Sequence, residues 1–532
     1  MNSSVFHNWV PKWSRDVNIF ILLCSQILVS GISSYSILSI TAYLGDEKDF
    51  IQFAYYGGSI AGAAIFPVIT RFQRYFRQKK LLLTGITAEI VLSVLAPLII
   101  NDNLLFMNNF LLSSVKIICL MDCISIFLAR FNPTNSRGLL YGMYYGLSYP
   151  ITQVSTYITA VILLQHPWKY TFIVSLPGLC LSWLIVRFLM HGKRKARKYP
   201  LYQVDWIGYA LVVLAGLSLS YGCIYGERLR WLESNEIKTA FTIAVIAILM
   251  WAVRMLSAKR PYVDLRVLQK YSHALLGVSM MILLFFIYNT FSISTEFMRT
   301  VLGYDNKYTA TSNLFMAVAY AVCIPLTGIW LHRRHKARGP LFLGFSLFAL
   351  YYFITAHILY PEENTNAFFI PMMLSAAAFG ITITSLSYYA SVNIPVQDNR
   401  SRAFFSISFR SVLAAPFSSA FWLDRYNQAK QNHYTYISAQ YTPDDPRFQS
   451  LWQGMLKSLS SSGHDAATAP GLAAASVHAG IYKQSIILAA QDIYYVLAAV
   501  SLCVAIAVLF FKVFNVHYEK AKNQYSLTTF KG

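Results

Sequence analysis

The sequence predicts an all-α polytopic membrane protein with fourteen membrane-spanning helices, and composition, apolar runs and charge distribution all support this. Of its 532 residues, 56% are hydrophobic and only 13% are charged, a balance that few soluble domains have. A bilayer core of roughly 30 Å needs about 20 apolar residues per helix. Runs of that kind recur along almost the whole chain.

The apolar runs define the predicted spans and their order. They lie at 17–43, 51–70, 81–100, 104–130, 138–163, 169–190, 204–225, 238–256, 273–298, 309–331, 341–360, 367–395, 403–422 and 487–514. The first run is too long for a removable signal peptide and lacks a small-residue cleavage site. We therefore expect the first run to remain in the protein as a span.

Basic residues cluster after alternate apolar runs, notably within 71–80, 193–198, 254–270 and 333–338. The intervening segments are nearly neutral or acidic. Because Lys and Arg are retained on the cytoplasmic side of a membrane, this alternation predicts that both termini are cytoplasmic. The net charge of +21 is then a sign of topology and of contact with membrane lipid, so we expect no nucleic-acid partner.

The residues that usually bind metals or cofactors form no recognisable motif in this sequence. All seven cysteines lie in apolar runs, which indicates no disulfide framework and no CxxC metal pair. There is no HExxH, no Walker glycine pattern and no His, Asp or Glu cluster at ligand spacing. We therefore expect no cofactor and no metal, and a membrane enzyme is disfavoured.

An internal repeat indicates two related halves. Residues 67–85 and 325–344 each carry a proline, a short basic turn and a glycine at nearly equal spacing, although any short basic hairpin could look similar. If the two segments correspond, the chain divides into a first six-helix bundle at 1–190, two inserted helices at 191–256 and a second six-helix bundle at 257–532. Paired bundles of this kind usually place a substrate cavity at their interface.

One extended polar region, residues 423–486, lies on the predicted outer side. Its first part, 424–433, and a later part, 448–457, have the pattern of short amphipathic helices with a proline turn between them. The region is too small for a catalytic domain. A docking surface or a cap over the exit is the more plausible use.

The sequence also resembles the fourteen-span drug:proton antiporters of the EmrB/QacA type, which belong to the major facilitator superfamily. The resemblance is carried by Asp205-Trp-Ile-Gly208, Gly216, Gly222, Gly226, 231–234, 261–266, 296–304, Arg410, 424–433 and 491–492. It implies the major facilitator fold, with two six-helix bundles plus two inserted helices, in the bacterial cytoplasmic (inner) membrane. It also implies proton-coupled efflux of amphipathic compounds, often with a periplasmic adaptor and an outer-membrane channel.

Several positions depart from the pattern of that family. Val29 lies where the family has an intramembrane Asp, and Phe110 lies where it has an Arg. Thr70 and Arg74 replace a Gly and an Asp, and the glycine-rich motif of the fifth span keeps only Pro150. An importer, or a lipid or siderophore carrier without proton antiport, is therefore an alternative, as is a scaffold that transports nothing.

Charged residues within apolar spans are costly and are candidates for function. Glu89 in the third span and Lys116 in the fourth should lie at similar depth, where they could form a buried ion pair. Asp122 lies about 9 Å of helix rise nearer the cytoplasm. Glu89, Lys116 and Asp122 are our proton-coupling candidates, and a static structural role is the alternative.

The candidates for the substrate path are polar residues in the fifth, ninth and thirteenth spans. Ser148, Thr152 and Thr156 share one helix face with other small hydroxyl residues, which could be a packing seam or a cavity lining. Glu296 and Arg299 could form an outer gate or be exposed at the interface, and Arg410 could bind an anionic group. Ten tyrosines lie within or at the ends of the predicted spans, where they could line a cavity or face lipid: Tyr55, Tyr56, Tyr141, Tyr144, Tyr145, Tyr149, Tyr351, Tyr352, Tyr388 and Tyr389.

Overall fold

The computed structural model describes residues 5–29, 37, 48–192, 201–258, 261–361, 366–441, 445–462, 465 and 467–510. Nearly all of these residues are helical, and the β contact within them is an isolated bridge between Phe6 and Met190. The prediction of an all-α protein is therefore confirmed.

Nineteen α-helices make up the described part of the chain. The first seven are α1 (Lys12–Leu28), α2 (Lys48–Ile65), α3 (Ile69–Tyr75), α4 (Gln78–Leu95), α5 (Asp102–Phe131), α6 (Arg137–Gln165) and α7 (Leu176–Leu184). The next six are α8 (Trp206–Tyr225), α9 (Asn235–Ser257), α10 (Arg266–Lys270), α11 (Ser272–Tyr288), α12 (Phe291–Thr300) and α13 (Asn306–Arg334). The last six are α14 (Arg338–His357), α15 (Asn366–Ser391), α16 (Val396–Ser408), α17 (Ala415–Gln440), α18 (Pro446–Ser461) and α19 (Ala469–Phe510).

The helices long and apolar enough to cross a membrane number thirteen in the described residues, one fewer than the sequence predicts. The difference lies in the first predicted span, 17–43. Its described part is α1, which has 17 residues and ends at Leu28, and most of the remainder lies outside the described ranges. Each of the other thirteen predicted spans coincides with a candidate helix.

Two large hydrophobic clusters organise the molecule. The first draws on buried residues from Phe6 to Met190, and the second on buried residues from Met281 to Val508. We call them the first core and the second core. Burial of these side chains against one another, rather than against lipid, fixes which face of each helix points inward.

Helices α8 and α9 pack against each other, and Asp205 fixes their relative position. Its Oδ1 accepts hydrogen bonds from the backbone N–H of Gly208 at 3.0 Å and from Arg254 Nε at 2.8 Å. The first bond caps the N-terminus of α8, and the second holds the end of α9 beside it.

Helix α8 lies in the groove between the two cores. A Cβ atom on Gly216 would come within 3.0 Å of both Ile60 in α2 and Val412, which follows α16. This close approach needs a residue without a side chain.

The polar region 423–486 is more helical than expected. The segment 424–433 is not a separate short helix, because α17 continues without interruption to Gln440. The later amphipathic helix is confirmed as α18, whereas part of the expected proline turn lies outside the described residues. With 42 residues, α19 is about 63 Å long, so α17, α18 and α19 form a helical projection beyond the apolar spans.

Candidate functional site

Glu89 lies at the centre of a buried polar group in the first core. Its side chain is completely inaccessible, and its Oε2 accepts a hydrogen bond of 2.8 Å from Gln26 Nε2 in α1. The Lys116 ammonium donates to the backbone carbonyl of Val29, just beyond the end of α1. Three helices, α1, α4 and α5, therefore bring one carboxylate, one amide and one amine together.

The direct ion pair expected between Glu89 and Lys116 does not form. The two side chains interact electrostatically, but each has its closest polar partner on α1 or directly after it. The reason is that α1 ends at Leu28, which frees the Val29 carbonyl for Lys116. The sequence offered no signal for the part played by Gln26.

Asp122 is also buried, with 4% of its surface accessible. Its Oδ1 accepts a 3.1 Å hydrogen bond from Nε2 of Gln78, the first residue of α4. Gln78 directly follows the basic turn after α3. We call this end of the helices, which carries Arg71, Arg74 and the other basic turns, the basic end. Asp122 thus lies between the Glu89 group and the basic end.

Arg410 lies between the two cores. It belongs to a π-helical segment, Phe409–Ala414, that joins α16 to α17. Such π-turns widen a helix locally and are frequent at functional sites. The guanidinium group lies 5.8 Å from the ring centre of Phe285 and interacts with Tyr144, Tyr145 and Tyr149 of α6.

Aromatic rings of α6 continue from Arg410 into the second core. Tyr149 packs against Tyr320 and Phe379, with ring centres 5.3 and 5.2 Å apart. The Tyr145 hydroxyl is 3.1 Å from Ser387 Oγ. We call Arg410 with Tyr144, Tyr145 and Tyr149 the arginine–tyrosine site. In this conformation its rings pack across the seam between the cores.

The hydroxyl residues of α6 satisfy their hydrogen bonds within the helix. Ser148, Thr152 and Thr156 donate to the carbonyl groups of Tyr144, Ser148 and Thr152, at 2.7, 2.8 and 2.9 Å. Thr152 is exposed, and the other two are half-buried. These contacts are compatible with both predictions for this helix face, a packing seam or a cavity lining.

The expected gate pair, Glu296 and Arg299, is organised differently. Glu296 Oε1 pairs with Lys430 of α17 at 3.1 Å, and the Lys430 ammonium lies 4.9 Å from the ring centre of Tyr426. Arg299 is half-buried near the end of α12. The structure therefore joins α12 to the helical projection through a residue that sequence reasoning missed.

At the basic end, α6 and α13 approach each other closely. A Cβ atom on Gly142 would lie 2.8 Å from the Cα of Gly328, and one on Gly138 would lie 2.8 Å from the backbone nitrogen of His332. Gly138, Gly142 and Gly146 recur every fourth residue, a spacing that favours close helix packing in membranes. This glycine spacing is the sequence signal from which the contact could have been predicted.

Side chains also join the two cores at the basic end. Arg402 is buried and donates to the Tyr141 hydroxyl at 2.8 Å. Arg137, the first residue of α6, donates to the backbone carbonyl of Ile394, just before α16. The cores are therefore locked together at this end by backbone contact and by arginine hydrogen bonds.

No group of three or more His, Cys, Asp or Glu side chains in the described residues is placed to hold a metal ion. The cysteines in those ranges are all free.

The family model described as "Major Facilitator Superfamily" matches residues 19–419. The chain belongs to this superfamily. It is therefore a multi-pass membrane protein with the helical fold of that superfamily.

Curated relatives in this superfamily are distant. The chain is 23% identical over 273 residues to "Multidrug resistance protein Stp" of Mycobacterium tuberculosis, covering 51% of this chain and 49% of that protein. It is 21% identical over 342 residues to "Multidrug export protein EmrB" of Escherichia coli, covering 64% of each. The matches thus span about half of Stp and less than two thirds of EmrB.

Among solved structures, a proton-dependent oligopeptide transporter has a TM-score of 0.54 and 12% identity, with 94% of this chain and 98% of that chain covered. At that identity the similarity shows the major facilitator fold alone.

Proposed function

We propose that this major facilitator protein exports hydrophobic or amphipathic compounds from the cytoplasm, driven by protons, across a bacterial inner membrane. The arginine–tyrosine site is the observation that carries the proposal. It lies where the two cores meet, which is where transporters built from paired bundles usually bind their substrate. We further propose that 1–190 and 257–532 move as the two bundles and that 191–256 is the insertion.

The side chains of this site favour flat molecules with a polarisable or anionic group. Tyrosine faces offer large apolar contact with a polar edge, and the Arg410 guanidinium can stack on a ring or bind an anionic group. Tyr149 packs on Tyr320 and Phe379 in this conformation, so an entering aromatic substrate would replace ring contacts by similar ones. Such replaceable contacts support a broad rather than a narrow substrate range.

Proton coupling is supported by the buried carboxyl groups. Glu89 and Asp122 are both enclosed in the first core, and each has an amide donor, Gln26 or Gln78, that can reorient when the proton is gained or lost. In the proposed cycle Glu89 holds the proton, and Asp122 and Gln78 connect it with the basic end.

The names of the relatives support export and suggest partners. Stp and EmrB carry the names of a multidrug resistance and a multidrug export protein. We propose the projection of α17, α18 and α19 as the surface for a periplasmic adaptor with an outer-membrane channel. An importer, or a lipid or siderophore carrier, is the second candidate, supported by the apolar Val29 at the position of the family's acidic residue.

Transport into inverted vesicles tests the proposed function. We expect an imposed proton gradient, acidic inside, to drive uptake of a fluorescent amphipathic dye. Replacing Arg410 with Ala should reduce the rate of dye uptake at least about tenfold, which is the effect of losing one charged contact of about 1.4 kcal/mol. Arg410→Lys should retain part of the wild-type rate.

Asp122→Asn should remove the dependence of dye uptake on the proton gradient. Uptake by right-side-out vesicles instead would favour the importer.

Thiol labelling tests the orientation. Ser461 lies on the exposed surface of α18, and Gly339 is exposed at the basic end. We expect an impermeant maleimide to label Ser461→Cys in intact spheroplasts and Gly339→Cys in inverted vesicles alone, each compared with the parent protein because native cysteines are present. The reverse pattern would place the basic end outside and refute export as drawn here.

A further inference from the structure

A cavity of about 190 Å³ opens at the basic end where the turn after α2, the start of α8 and the start of α16 meet. Its wall includes hydrogen-bond donors from both α3 and α16: Thr70, Arg71, Gln397, Arg400 and Ser401. A cavity needs only about 10–15 Å³ to hold one water molecule on this measure of volume. The cavity is therefore large enough for one small polyatomic ion with part of its hydration.

Positive charge from both sides of the molecule converges on this cavity. Arg71 and Arg74 belong to α3, beside the first core, and Arg400 belongs to α16, beside the second. The charges of Arg74 and Arg71 act unfavourably on the Arg400 guanidinium. Closure of the basic end thus brings like charges together, at a cost that a bound anion would remove.

Two acidic groups near the cavity have cationic partners: Asp205 pairs with Arg254 at 2.8 Å, and Asp398 pairs with Lys270 at 3.2 Å. A third, Asp264, whose backbone N–H donates to Ser401, accepts a hydrogen bond of 3.0 Å from the backbone N–H of Arg266. The Asp205 carboxylate also lines the cavity, and its Oδ2 accepts no hydrogen bond from the described residues. An anion is therefore expected to lie toward Arg71 and Arg400, away from Asp205.

The start of α16 adds a further favourable contribution. This helix has 13 residues and begins at Val396, next to Gln397, Arg400 and Ser401 in the cavity wall. The first backbone N–H groups of a helix have no partner within it, and the helix dipole favours negative charge there. The cavity thus combines two guanidinium groups with the positive end of a helix.

We propose that this cavity binds a phosphate-type oxyanion, either the headgroup of an anionic phospholipid or free phosphate, and that the anion holds the basic ends of the two cores together. Guanidinium groups bind phosphate oxygens in a bidentate manner, which suits Arg71 and Arg400. Because one arginine comes from each side, the site is complete only when the basic end is closed. The bound anion stabilises that conformation.

Thermal unfolding of the purified full-length protein in neutral detergent tests this proposal. The probes are sodium phosphate against sodium chloride at equal ionic strength, and dioleoyl phosphatidylglycerol against the phosphatidylcholine of the same chain length. The melting temperature of the wild type should rise with the anionic probe, because a ligand that binds the folded state stabilises it. Arg400→Gln and Arg71→Gln should each weaken the apparent affinity about tenfold.

The matched control is Arg333→Gln, an exposed arginine at the same end outside the cavity, which should respond like the wild type. Without any anion, the melting temperature of Arg400→Gln should be no lower than that of the wild type, because the substitution removes an electrostatic repulsion rather than a stabilising contact. Stabilisation by phosphatidylglycerol alone assigns the site to lipid, and stabilisation by both assigns it to the phosphate group. If neither probe stabilises the wild type, or if Arg400→Gln and Arg333→Gln respond equally, the proposal is wrong.

Discussion

Replacing Gly142 with Val should lower the transport rate by at least about fivefold. A Cβ atom at this position would lie 2.8 Å from the Cα of Gly328, a backbone atom that cannot move aside as a side-chain tip can. Overpacking of this kind costs about 1–3 kcal/mol, and each 1.4 kcal/mol shifts an equilibrium by a factor of ten. The closed basic end would therefore be depopulated, and with it one half of the transport cycle.

Dye transport in inverted vesicles and the labelling of a thiol at Ser136, beside the seam, measure this effect together. We expect Ser136→Cys to react faster with an impermeant maleimide when Gly142→Val is present. Gly339→Val is the matched control, since a Cβ atom there meets nothing within 4 Å and the residue lies at the same end. Normal transport with unchanged labelling in Gly142→Val would show that the contact between α6 and α13 is not needed for closure.

Most of the fold could be predicted because the bilayer requires long apolar runs. Thirteen predicted spans coincide with helices for this reason. The start of the long α19 was harder to predict, since residues 469–481 are mostly small and weakly apolar and resemble a loop by composition. Its helical state reflects packing on α17 and α18, which is tertiary information.

The candidate sites were located by residue type, but their partners were not. Arg410 was a candidate because of its position in the thirteenth span, whereas its electrostatic interaction with Tyr144, Tyr145 and Tyr149 depends on how the two cores dock. Lys430, which pairs with Glu296, is separated from it by 134 positions and lies in a segment read as an outer loop. Pairings at such separations have no local signature in one sequence.

The position of Lys116 shows a further limit. Its partner is a backbone carbonyl at Val29, and that carbonyl is free because α1 ends there. The apolar run 17–43 was interpreted as one continuous helix, so the sequence predicted a side-chain partner for the amine. Ser30 and Gly31, directly after Val29, are a local signal for a break that this interpretation passed over.

Replacing Lys116 with Met should destabilise the protein by about 1–3 kcal/mol. The substitution leaves the Val29 carbonyl without its ammonium donor, and loss of such a partner costs about 1–3 kcal/mol. It also removes a positive charge that attracts the Glu89 carboxyl group, which has no accessible surface. Thermal unfolding of the purified protein at pH 8 measures the loss.

The double variant Glu89→Gln/Lys116→Met separates stability from coupling. Removing both charges should restore part of the lost melting temperature, because an amide at position 89 can still bond to Gln26 without a buried charge. Proton-driven dye transport should nevertheless stay at background, since the amide cannot exchange a proton. If the double variant transports as the wild type does, Glu89 is a structural residue and coupling must rest on Asp122. If the double variant is no more stable than Lys116→Met, the two charges are not energetically linked.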